Sequence, residues 1–450
     1  MFKKYFSLNN LSTLLLYFSI LAFTVAFNFS DNRSGGWYQQ FLPDLNGRIV
    51  SDIAFTDSLN GFATCQISFN YNYILKTTNG GDNWFLSDSL LSQLTKLQFL
   101  NLNTGYACGA YLYKTTDAGN NWQNVNTSGI VAQNMSVLNE DTIWITDSDG
   151  LVGGVYKTNN GGMSWTRQLN LGTLNPENIY MYNKDIGFIS KVNTGAPYTR
   201  KTTDGGQSWF VVVNNEGFTD INFTDSLTGW RAAGPGRFVK KTSDGGIKWT
   251  MQSPPSGGNI YVTPIFKFSN VNKDTIWGAG GVIQFGVNNY RGMIYNTTNG
   301  GNNWGYQLPD TSIHIEQYNQ IDFTNRLNGW VLGYGLTTEV HSITGGDTTY
   351  YTNIKQLSSI FPGSFNLEQN YPNPFNPKTK IKFEISIKGN VIINILDITG
   401  KQKETILKSF LTPGEYETEF NGSNYMSGIY FYNLIVDGKV IDTKKMILLK

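Results

Sequence analysis

Hydrophobic residues in this chain fall in short runs separated by polar, glycine-rich turns, and one such run recurs along most of its length. A Thr-rich segment leads into an Asn/Asp-Gly turn and then a tryptophan at 76–84 (KTTNGGDNW), 114–122 (KTTDAGNNW), 157–165 (KTNNGGMSW), 201–209 (KTTDGGQSW), 241–249 (KTSDGGIKW) and 296–304 (NTTNGGNNW). We refer to this nine-residue pattern as the box. Thr is β-prone, and Asn79, Asp117, Asn160, Asp204, Asp244 and Asn299 can each accept a backbone N–H two residues on. The glycines that follow tolerate positive φ, so each box predicts a tight hairpin turn. Trp84, Trp122, Trp165, Trp209, Trp249 and Trp304 each supply a large apolar body for packing against a neighbouring unit. They stand 38 to 55 residues apart, the period of one four-stranded propeller blade.

A second element, the slot, precedes each box. It reads FTDSLNGF at 55–62, FLNLNTGY at 99–106, MYNKDIGF at 181–188, FTDSLTGW at 223–230 and FTNRLNGW at 323–330, with LNEDTIWI at 138–145 and VNKDTIWG at 271–278 in the same place. Seven slots stand against six boxes. The seventh box is degenerate: 341–349 (HSITGGDTT) keeps the paired glycines but lacks the lead Lys and the Trp. The segment 37–43 (WYQQFLP) resembles 304–309 (WGYQLP), and a Gln after the Trp recurs at Gln168 and Gln252. The N-terminal strand is therefore expected to be the missing fourth strand of blade seven, which removes an exposed sheet edge. The expected fold is all-β, a seven-bladed β-propeller followed by a small C-terminal β-sandwich.

The box residues resemble the Asp-box, or bacterial neuraminidase repeat, and the slot-plus-box unit resembles the photosystem II stability and assembly factor type of propeller. The resemblance covers 35–352. It implies the fold strongly and the activity weakly, because that family spans sialidases, other glycosidases and assembly factors.

The chain ends carry addresses. Two lysines precede an apolar stretch at 11–27 and then a polar run, the layout of a signal peptide ending at residue 26. Cys65 and Cys108, the two cysteines, are read as small buried hydrophobes, with a disulfide as the alternative. Residues 353–364 read as a linker. From 365 to 450 short alternating strands and turns at Thr399-Gly400, Pro413-Gly414, Ser427-Gly428 and Asp437-Gly438 predict an antiparallel domain. Its opening, Asn370, Tyr371, Pro372, Asn373, Pro374, Phe375, Asn376 and Pro377, together with ILDITG at 395–400, MSGIYF at 426–431 and a basic-apolar end, resembles the C-terminal sorting domain of the type IX secretion system. That resemblance implies export and a partner in the secretion machinery.

The net charge is +1 over 450 residues, with neither a basic stripe nor a charge run, so a nucleic-acid partner is not expected. No stable transmembrane segment is expected in the mature chain. The box turns lack the converging oxygens a hard cation needs, so neither metal nor cofactor is expected. In consecutive antiparallel strands both repeated turns fall on one face, and the variable segments fall on the other. Function is expected on that loop face. The candidates there are Arg48, Tyr198, Arg237, Tyr290, Arg291 and Tyr318. Three Arg with Tyr and the carboxylates Glu177, Glu216 and Glu316 form the kit of a sialidase. The favoured expectation is a non-catalytic binding or scaffold propeller with an extracellular protein or glycan ligand; the alternatives are a sialidase-like glycosidase and an assembly factor of the photosystem type.

Overall fold

The computed structural model describes residues 36–450 other than 68–70, 148, 150, 193–195, 235, 256–259, 287, 311, 334–337, 347–353, 359–361, 412 and 424. The expected signal peptide lies outside the described residues. Among the described residues nearly all regular structure is β, arranged in nine four-stranded antiparallel sheets. Seven of them use residues 38–342, and they follow the repeat. The first runs through Ile49–Phe55, Gly61–Gln66, Asn72–Thr77 and Phe85–Leu90; the sixth runs through Ile260–Asn270, Ile276–Gly286, Asn289–Thr297 and Gly305–Gln307. In each, the slot forms the first hairpin turn, and in the first six the box forms the last.

The box turn is held by its Thr. Thr77 Oγ1 accepts the Gly81 N–H at 2.9 Å and donates to Asn79 Oδ1 at 3.0 Å, while Asn79 Oδ1 accepts the Asn83 N–H at 2.9 Å. The same three bonds recur around Thr115 and Asp117, Thr158 and Asn160, Thr202 and Asp204, Thr242 and Asp244, and Thr297 and Asn299. Ser342 does the same work in the degenerate seventh box, accepting the Gly346 N–H at 2.6 Å.

The slot explains itself through ring stacking. Its lead Phe lies over its own Gly, and the aromatic residue after the Gly stacks on the lead Phe of the next sheet. Phe62 thus meets Phe99 at 4.2 Å, Phe188 meets Phe223 at 5.0 Å, and Trp330 meets Phe55 at 3.6 Å.

That last pair joins the seventh sheet to the first, so the array closes. Tyr38–Phe41 pairs antiparallel with Thr338–Ser342 and supplies the fourth strand of the seventh sheet, as the sequence led us to expect. The tryptophan missing from the seventh box is Trp37, which enters from the N-terminus. Its indole N–H donates to Gln307 Oε1 at 2.5 Å, and its ring packs edge-on against Trp277 and Phe323. The recurring Gln residues reach forward to the next box turn: Gln40 Nε2 donates to the Gly80 carbonyl at 2.9 Å, and Gln168, with its amide oriented to donate, reaches those of Gly205 and Gly206.

A further cycle of bonds runs round the first strands. In seven steps a side chain of one sheet accepts a backbone N–H of the next: Asp52 from Leu97, Gln98 from Val137, Ser136 from Met181, Tyr180 from Phe223, Asp220 from Phe268, Ser269 from Phe323, and Asp322 from Phe55. The cycle returns to the sheet where it began.

The last two sheets use residues 354–448 and share one hydrophobic cluster that includes Phe375, Ile381, Ile393, Tyr432 and Leu448. The segment expected as a linker differs from that expectation. Ile354–Ser358 is a strand paired with Gly414–Asn421, because an unfilled edge of the tail sheet offers backbone partners to the chain that leads into it. Cys65 and Cys108 are buried free thiols, and burial pushes both up to about 12.

Candidate functional site

Strand order places the variable connections, and the strand ends beside them, at the end of each sheet opposite the boxes. Exposed apolar residues at this end include Tyr71, Tyr111, Leu151, Val152, Phe238, Tyr261 and Phe285, and the box end carries its own, such as Leu59, Met163 and Leu227. The sixth sheet reaches furthest. Its first two strands have eleven residues each, against four to seven for their counterparts in the other six sheets. The hairpin Ile276–Gly286 to Asn289–Thr297 therefore projects from the loop end, carrying Phe285 and Tyr290, with the Tyr261 ring 5.7 Å from that of Tyr290. Tyr261 is 65% exposed, enough to offer a ring face to a ligand. Gln284 Nε2 reaches the Tyr290 hydroxyl at 3.5 Å, and the Arg291 guanidinium lies 5.9 Å from the Phe285 ring centre.

The six sequence candidates separate into two groups. Arg48 is buried: Nε donates to the Tyr71 carbonyl at 2.7 Å, Nη1 to the Leu45 carbonyl at 3.1 Å, and its guanidinium lies 3.8 Å over the Tyr73 ring. Tyr198 is buried with its hydroxyl on the Leu174 carbonyl at 2.6 Å, and burial drives its pKa up. Tyr318 is 1% exposed and packs over Gly292. These three build the loops. Arg237 stacks at 4.4 Å on Phe266, and burial lowers its pKa. Arg291 donates to the Pro309 and Asp310 carbonyls. With Tyr290 these two are half-buried and stay within reach of the surface.

The arginines occupy the first, fifth and sixth sheets, and each is engaged by its own neighbours. The carboxylates are engaged as well: Glu177 with Lys191 at 3.3 Å, Glu216 with the fully buried Arg231 and with Lys240, and Glu316 with His314 at 4.0 Å. Burial lowers Arg231 to about 10 against the opposing pull of Glu216.

Sequence reasoning missed Phe238, Tyr261 and Phe285, and it missed an ionic cluster on the innermost strands. There Lys267 pairs with Asp52 and feels Asp220 and Asp322, the latter raised to about 6 by burial. One signal for the hairpin was present: the interval from Trp249 to Trp304 is the longest between boxes. Among the described residues no group of His, Cys, Asp and Glu is placed to hold a metal ion, and no helix is long and apolar enough to cross a membrane.

In the tail, the Asn-Pro motif is a strap. Asn370 N–H donates to the Tyr432 hydroxyl at 2.7 Å and Asn370 Nδ2 to Thr379 Oγ1 at 2.8 Å. Asn373 Oδ1 accepts the Ile447 N–H at 2.9 Å, Phe375 is buried, and Tyr371 is 80% exposed. The motif ties the start of the tail to its last strand.

Comparison with known proteins supports both halves. Residues 369–449 match the family model of the secretion system C-terminal sorting domain. The chain is 24% identical over 362 residues to the chloroplastic photosystem II stability/assembly factor of Oryza sativa subsp. japonica, covering 66% of this chain and 80% of that protein. Among solved structures it is similar to YCF48 from Cyanidioschyzon merolae, with 17% identity, TM-score 0.52, and 68% of this chain and 98% of that one covered. It is also similar to a GH74 enzyme of Niastella koreensis, with 17% identity, TM-score 0.54, and 78% and 59% covered. At these identities the structural likeness shows the fold alone. A propeller like that of the photosystem II factors is joined to a type IX sorting tail, and the chain is exported to be secreted or held at the cell surface.

Proposed function

We propose that this chain is a seven-bladed propeller with Asp-box turns, closed by its N-terminal strand and followed by a β-sandwich sorting tail. Its propeller acts outside the cell as a non-catalytic binding module. A signal peptide at 1–26 and type IX export through the tail would deliver it, and the ligand is an extracellular glycan or protein held on the loop face.

The observation that carries the reading is the pairing of exposed Tyr261 with half-buried Tyr290 of the projecting sixth hairpin, which also carries exposed Phe285. Aromatic rings at an exposed tip offer apolar area with few rotamers to freeze, and such groups dominate binding energy at surfaces. The arginines that a sialidase would converge on one carboxylate are instead each spent on separate carbonyls or rings.

The test is capture by the full-length protein on an array of extracellular glycans and on immobilised surface-protein extract. Changing Tyr261 and Tyr290 to Ala together should lower capture at least tenfold with the melting temperature unchanged. Capture that survives this double change, and is lost instead on altering box residues, would overturn the placement.

A further inference from the structure

The tail meets the propeller at Glu404, in the edge strand Gln402–Leu411. Its carboxylate accepts hydrogen bonds from Asn299 Nδ2 at 3.2 Å, from Asn303 Nδ2, and from the Tyr425 hydroxyl at 2.7 Å. Both amides belong to the sixth box turn. There Asn299 Oδ1 is committed to the turn itself, accepting from Thr297 Oγ1 and the Asn303 N–H, so Nδ2 points outward as a donor. In the boxes with Asp the outward atom is an acceptor: Asp117 Oδ2 takes Asn121 Nδ2, and Asp204 Oδ2 takes Ser208 Oγ. In the Asn160 box the outward amide is used within the turn, on Ser164 Oγ. The sixth turn thus presents two outward amides to a carboxylate brought by the tail. Ile406, two residues on, borders two adjoining clefts of about 810 Å³ and about 560 Å³ that Asn303 also lines.

We propose that the sixth box turn is a docking site for the chain's own sorting tail, and that docking couples the tail to the folded state of the propeller. The two amide donors converge on Glu404 only when the Thr297 turn has formed, because that turn fixes the orientation of both Asn side chains. Docking also covers part of an edge strand that would otherwise present unpaired backbone groups. A contact made only between folded partners stabilises both by linkage, so local opening of the tail near Glu404 reports on the sixth turn.

Hydrogen exchange on the full-length protein tests this. Asn299→Asp keeps a turn residue that three other boxes use, but it sets a second carboxylate against Glu404, and like charges at hydrogen-bond distance repel. Exchange at 402–406 should accelerate at least tenfold while the other box turns keep their protection. Glu404→Lys, which alters no propeller residue, should give the same acceleration. Adding Glu404→Gln to Asn299→Asp should restore slow exchange, since the Gln amide can donate to the new carboxylate. Equal exchange at 402–406 in wild type, Asn299→Asp and Glu404→Lys, or no recovery in the double variant, overturns the proposal.

Discussion

The indole N–H of Trp84 donates to Glu339 Oε1 at 2.7 Å, joining two fully packed residues 255 positions apart across the seam where the array closes. Glu339 is buried completely, opposite Gln40 of the N-terminal strand. Among the described residues its Oε2 and the Gln40 Oε1 have no hydrogen-bond partner. Burial holds the Glu339 carboxyl up to about 8 against the lowering effect of Trp84.

A pH dependence follows. Because the folded pKa is raised above the ordinary value of 4.5, the stability due to neutral Glu339 is fully present below about 4.5 and is lost as pH rises through about 8. At about 1.4 kcal/mol per unit this is on the order of 3–5 kcal/mol. Denaturation midpoints from pH 5 to 9 should fall steeply in wild type and stay flat in Glu339→Gln across that window. Parallel profiles would refute the assignment.

Lys267→Met should destabilise by roughly 3 kcal/mol, because it removes the cation paired with Asp52 and felt by Asp220 and Asp322, leaving Lys96 to face Asp52 and Asp220 alone at the innermost strands. Urea unfolding measures this, and an unchanged midpoint would mean that the cluster is hydrated well enough to need no cation.

Gly229→Ala should cost about 2 kcal/mol. A Cβ there would lie 2.8 Å from three ring atoms of Phe223, which is held by its stack on Phe188 and its edge contact with Trp249. A melting temperature equal to wild type would show that the ring shifts freely.

Arg48→Ala and Tyr290→Ala should separate by readout. The first removes backbone anchors and a ring contact, and should destabilise by about 2 kcal/mol. The second should leave the melting temperature unchanged and weaken capture. The reverse pattern would return Arg48 to the ligand site.

The scaffold was legible because its rules are local. The Thr, Asx and Gly of each box close a turn within nine residues, and the slot aromatics recur at one spacing, so periodicity alone exposed them. Closure by Tyr38–Phe41 could be read because 37–43 repeats the residues after the sixth box. The proposed loop-face site was readable in the sequence only as a set of positions. Arg48, Tyr198 and Tyr318 sit at the loop ends of their strands, yet they turn inward to carbonyls, a ring and the core. Whether a polar aromatic or a cation points out depends on what the adjoining irregular loop leaves unpaired, and no period encodes that. The pairing of Ile354–Ser358 with Gly414–Asn421 was hidden for a related reason: it joins segments about sixty residues apart with no shared motif.

The most direct test of the binding reading is a turnover assay on the purified full-length protein. Sialosides and a panel of other glycosides would be followed by product release at several pH values, beside capture of the same glycans. We expect capture without release, unchanged in Arg237→Ala. Hydrolysis that falls by orders of magnitude when Arg48, Arg237 or Arg291 is replaced would contradict the account and make the loop face an active site.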